Sequence, residues 1–159
     1  MRLYARAGVA EACLALQNRH GLDVNLLLFV VWAGDEGRIL SETAVGVAIV
    51  SVQRWHAEIV RPLRALRHRL KNDPHGVDPA LAASLRARIS AVELDAEHVE
   101  QLVLDDLVRG GERSPSSAAM RTNLANYASA AAIVWSEEDQ ADLAAIVAAA
   151  PLSGTSVRA

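Results

Sequence analysis

Residues 41–71, SETAVGVAIVSVQRWHAEIVRPLRALRHRLK, decide the fold. Val45, Ile49, Val52, His56, Ile59, Leu63, Leu66 and Leu70 recur in alternating steps of four and three, so one side of a single helix carries a continuous apolar seam. Pro62 interrupts that helix, because a helix-interior proline removes one backbone hydrogen bond and crowds the preceding turn. The seam keeps its register across Pro62, which favours a kinked helix over two separate ones. The next segment, 72–77, contains Pro74 and Gly76 and reads as a loop. Asp78–Pro79 is then an N-cap followed by a first-turn proline, opening a helix to Val108 with Leu85, Ile89, Val92, Ala96, Val99 and Val103 as its seam. So short a connection between two long amphipathic helices makes an antiparallel hairpin.

The same pattern extends outward in both directions. Upstream, Gly8–His20 is a helix with Val9, Cys13 and Leu16 on its inner face and Gly21 as its stop. Asp23 caps a second helix, apolar nearly all round to Trp32, with Gly34–Gly37 as a turn. Downstream, Ser117–Trp135 forms a helix rich in small residues. Ser136 with Glu137, Glu138 and Asp139 caps a last one ending near Ala150. No stretch alternates as a strand does. The expected fold is all-α, a single bundle of five or six helices with the long kinked helix in the hairpin. One domain spans 1–152, the tail 153–159 is disordered, and the loop 109–116 is the flexible point.

Composition narrows the function. The 159 residues are 52% hydrophobic, with a net charge of −3, which excludes a disordered chain and one that is basic throughout. One cysteine excludes a disulfide framework, and Cys13 on an apolar face reads as inert packing. No secretory signal and no apolar run near ~20 residues is present, so a cytoplasmic protein without membrane insertion is expected. There is no HExxH, no paired Glu-x-x-His, no G-x-S-x-G and no phosphate-binding glycine loop, so neither metal nor cofactor is expected. His98, with Asp95 and Glu97, reads as part of an exposed acidic face.

Charge is concentrated instead. Arg61, Arg64, Arg67, Arg69 and Lys71 put five of the 16 positive charges in eleven residues, whereas Glu93 to Asp106 carries six acids and no Lys or Arg. With the turn near residue 75, the basic run would face residues 81–89 and the hairpin would be basic at its tip and acidic at its far end. Arg61, Arg64, His68 and Lys71 share a helix face and would dock an acidic protein partner or anionic ligand, with Trp55 at the edge. Low aromatic content and the absence of a recognition-helix motif argue against nucleic acid. A bland alternative is a solvated face, since 15 of the 16 cations are Arg, as a GC-rich genome supplies. His56 on the apolar seam is either a satisfied core histidine or the base of a pocket beside Asp23, Asn25 and Trp55.

Leu3–Tyr4, Gly8–Val9, Cys13–Leu14, Leu16–Gln17, Asp23–Val24–Asn25, Trp32, Trp55 and Arg61–Pro62–Leu63–Arg64 together resemble a small, mainly proteobacterial family catalogued as a domain of unknown function. The likeness runs from Leu3 to Lys71. Members usually carry a short apolar, Trp-containing segment ahead of the Leu-Tyr pair, which here follows Met1–Arg2 directly. The resemblance implies no activity or catalytic residue. The residues themselves favour a non-enzymatic adaptor that docks through its basic helix, with homodimerisation through the small-residue helices 117–135 and 139–150. The alternative is a small enzyme or ligand-binding protein with a pocket at His56, Asp23 and Asn25 and an Arg anion clamp.

Overall fold

The computed structural model describes residues 3–72, 76–107 and 116–151. The expected tail, and most of the expected loops around residues 74 and 112, lie outside the described residues. Every regular element described is helical: α1 (Val9–His20), α2 (Val24–Asp35), α3 (Glu42–Trp55), a π-turn (His56–Val60), α4 (Arg61–Asn72), α5 (Pro79–Leu107), α6 (Ser117–Ala130) and α7 (Glu137–Ala149). The all-α expectation holds. None of these helices is long and apolar enough to cross a membrane. The chain divides into two compact units, one made of residues up to Ile49 and from Leu107 onward, the other Val50–Asp106.

The first unit is built on α2. Leu26 through Val31 are all buried, as expected of a helix apolar on every side. Gly34 belongs to this helix and not to a turn, because its missing side chain is what admits α6. A Cβ there would lie 2.5 Å from both Cα and N of Met120. The stop comes at Gly37, whose φ of 79° lets its N–H bond Gly34 and the Arg38 N–H bond Ala33. Asn123, fully buried on α6, locks the pair: its Nδ2 donates to the carbonyls of Val30 (3.0 Å) and Arg38 (2.8 Å), and its Oδ1 accepts from the Leu40 N–H (2.8 Å). Of the small residues of α6, Ala119 and Ala128 are buried inside this unit, whereas Ala118, Ala125 and Ser129 are exposed.

Two further differences have local causes. α6 stops at Ala130, five residues before Trp135, because Ala132 adopts φ 54° and the Ile133 N–H reaches back to the Ala128 carbonyl. That closure usually takes glycine at the left-handed position, so the sequence gives no sign of it. Trp135 instead meets the His20 ring edge-on at 5.4 Å. Nearby, Arg19 bonds Glu138 (3.0 Å), Asp139 (2.7 Å) and Asp142, fastening α1 to α7. Asp139, fully buried, also closes the capping box with Ser136 and faces His20 at 2.8 Å. Burial acts against its charge, but bonds from Ser136, His20 and Arg19 outweigh that and hold its carboxyl well below the usual range.

Candidate functional site

In the second unit, the long helix runs through Pro62 without breaking. A proline at 62 cannot donate to the Glu58 carbonyl, and the π-turn takes up the mismatch: the Arg61 N–H bonds the His56 carbonyl five residues back. The end of α3, the turn and α4 then face α5 across a polar seam. Ala96, with almost no side chain, leaves room for the Trp55 indole to donate to its carbonyl at 3.0 Å. One turn further along α5, Glu100 Oε2 lies 3.4 Å from His56 Nδ1. Glu100 is 1% exposed, and the His56 imidazole is largely covered. In the other direction Arg64 bonds Glu93 (3.1 Å) and Glu97 (2.6 Å), while Arg67 grips both oxygens of Glu93 (2.5 and 3.2 Å).

The His56–Glu100 and Arg–Glu pairs centre the hairpin near residues 78–80, while Trp55–Ala96 keeps the expected centre near 75. The shift weakens the expected polarity by bringing Glu93 and Glu97 to the basic run. The acidic run begins beside the basic one. The reach of arginine, about 7 Å from its own backbone, closes the remaining offset along the helices. Burial opposes the charge on Glu93, but hydrogen bonds from Arg67 and Arg64 prevail and keep its pKa below the ordinary value. Burial likewise opposes the Arg64 charge, and Glu93 and Glu97 reverse it, leaving that pKa raised. Arg67 is raised chiefly by its bond to Glu93.

The expected docking residues therefore separate. Arg64 faces inward and is already engaged by two carboxylates, so its guanidinium is an internal fastener. Arg61, His68 and Lys71 are exposed, as is Arg69, and none of the four makes an ion pair with a described residue. Trp55 is 38% exposed but tied by its indole N–H to α5. Asp23 and Asn25 belong to the first unit, where Asp23 Oδ1 accepts the Asn25 N–H at 2.8 Å as the cap of α2. His56 belongs to the second unit. The sequence reading missed Glu93, Glu97 and Glu100 as partners, although with Ala96 they recur at i, i+3, i+4 and i+7 and so share a face of α5. His56 and Glu100 present an imidazole and a carboxylate side by side, donor types suited to a divalent cation. Cys13 is buried, and that burial, with the nearby charge of Asp142, pushes its thiol up to about 12, so it stays a packed thiol at neutral pH.

Comparison with known proteins adds a family and no activity. No curated protein and no solved structure matches the chain. Residues 1–104 match the family described as "Protein of unknown function (DUF2390)". The match passes well beyond Lys71 and takes in most of α5, including Glu93, Ala96, Glu97 and Glu100. With that share of its length matched, the chain belongs to the DUF2390 family.

Proposed function

We propose that this protein is a non-enzymatic interaction module that docks an acidic segment of a partner protein along α4. The supporting observation is that α4 buries none of its residues, yet Arg64 and Arg67 fasten it to α5 and leave Arg61, His68, Arg69 and Lys71 outward. Such a platform is ordered before it binds, so a partner does not bear the cost of fixing the helix. Arg61 and His68 lie two turns apart with Ala65 between them, an unobstructed line for an extended acidic peptide. The test is fluorescence anisotropy of a labelled Glu/Asp-rich peptide at 20 and 200 mM salt. An Arg61→Ala/Lys71→Ala double variant should bind about fivefold more weakly, at the scale of two exposed ion pairs, and with a shallower salt dependence. Equal binding by wild type and variant, or none at low salt, rejects the proposal.

We infer a second reading from the covered imidazole–carboxylate pair, because π-turns concentrate at functional positions. His56 and Glu100 would hold a divalent cation or a polar ligand. Calorimetric titration with Zn²⁺ and Mn²⁺, repeated on His56→Gln, tests it: heat lost in the variant supports a site, and no heat in the wild type removes it.

A further inference from the structure

The helix α5 has a second face that the hairpin does not use. Its buried positions, among them Ile89, Ala96 and Glu100, form one line. About 80° around the helix, Leu81 (66% exposed), Leu85 (46%), Val92 (52%), Val99 (43%) and Val103 (40%) form another. These five apolar side chains fall within about 40° of arc and extend over about 33 Å of helix. Their spacing is a palindrome about Val92: Leu85 and Val99 stand seven residues to either side, Leu81 and Val103 eleven. An antiparallel pair of such helices, crossing at Val92, sets Leu85 against Val99 and Leu81 against Val103 twice over.

The charges on the same face select that arrangement. Arg88 lies one turn before Val92 and Asp95 one turn after it; both are exposed and neither makes an ion pair with a described residue. Two parallel, in-register copies would set the Arg88 and Asp95 of each copy on opposite edges of the stripe from those of the other, so neither charge would find a partner across it. Two antiparallel copies bring each Arg88 beside the other copy's Asp95, giving two symmetric ion pairs at the edge of the apolar stripe. We propose that this face of α5 is a self-association surface, occupied by a second copy of the chain about a two-fold axis at Val92. The proposal is independent of acidic-peptide docking, which uses α4. A single helix–helix stripe is smaller than a standard interface of about 1,600 Å², so the dimer is a micromolar one.

Sedimentation velocity of the full chain from 1 to 200 μM reads it directly, with far-UV circular dichroism confirming that each variant is folded. Wild type should pass from monomer to dimer over that range, and Val92→Glu should shift the midpoint at least tenfold upward. Arg88→Asp and Asp95→Arg should each weaken association, and the double swap should restore it. In antiparallel pairing Val92→Cys meets its own copy, so it should form an intermolecular disulfide on mild oxidation. Leu81→Cys should not, because the two copies of residue 81 lie about 33 Å apart. A wild type monomeric at 200 μM, a failed restoration by the double swap, or efficient cross-linking through Leu81→Cys would each overturn the proposal.

Discussion

Two glycine-to-alanine substitutions, both inside helices of the first unit, should change stability in opposite directions. Gly34→Ala places a methyl group 2.5 Å from the Cα and N of Met120, where an ordinary contact needs about 3.5 Å, so α6 must retreat by about 1 Å. Overpacking of this kind costs about 1–3 kcal/mol. The retreat also stretches the Asn123 bonds one turn away, which start at 2.8–3.0 Å, and weakening one or two of them adds about 1 kcal/mol each. Alanine's better helix propensity returns about 1 kcal/mol. The net is a loss of about 3 kcal/mol, or about 6–12 °C in Tm for a chain of this length. Gly46 in α3 has nothing within 4 Å of its Cβ position, so Gly46→Ala keeps only the propensity term and should gain about 0.5–1 kcal/mol. Thermal and urea unfolding followed at 222 nm measure both. Equal or greater stability in Gly34→Ala, or the same sign in both variants, would refute the idea that direct backbone approach of α6 to α2 organises this unit.

Asn123→Ala should cost about 3 kcal/mol, because it strands the buried Leu40 N–H and two carbonyls at once; urea denaturation reads the loss, and a change below about 1 kcal/mol would mean water replaces the amide. Glu93→Gln should lower stability at pH 7 by about 2 kcal/mol, since Arg64 and Arg67 would face a neutral amide. The Glu93 pKa is depressed in the folded chain, so its contribution is complete above the unfolded value near 4.5 and fades as pH falls through the lower folded value. The gap between wild type and Glu93→Gln should therefore close in acid, and a gap constant with pH would contradict the pairing. Cys13 should resist iodoacetamide in the native chain at pH 8 and react only after unfolding; rapid native labelling would contradict its buried, high-pKa state.

Helix type and order were legible because they depend on local spacing. Val9, Cys13 and Leu16, expected on one inner face, are all fully buried, and the caps at Asp23 and Ser136 stand where short polar side chains precede apolar runs. What was illegible depends on a partner distant in sequence. Gly34 and Gly37 look alike in the chain; only Met120, 86 positions after Gly34, makes the first a packing glycine, while the second is the stop. Ala132 ends α6 in a conformation its composition does not advertise. On α5, the expected seam mixed two lines: Ile89 and Ala96 are buried, whereas Leu85, Val92, Val99 and Val103 are exposed, since a helix with apolar residues over a wide arc does not say which edge is covered.

Register is the largest of these gaps and carries the most functional weight. Moving the hairpin's centre from residue 75 to near Asp78 at the His56–Glu100 and Arg64–Glu93 pairs displaces opposed positions by about six residues, nearly two helical turns or about 9 Å. Over that distance Arg64 and Arg67 change from cations at a bare tip to the closed partners of Glu93 and Glu97. A test of anion docking that removed Arg64 would therefore unfasten α4 from α5 and mimic loss of a binding site whether or not one exists. Arg61 and Lys71, exposed on the same helix, separate the two effects: removing them leaves the seam to Glu93 and Glu97 intact, so a loss of acidic-peptide binding in that variant belongs to the surface itself.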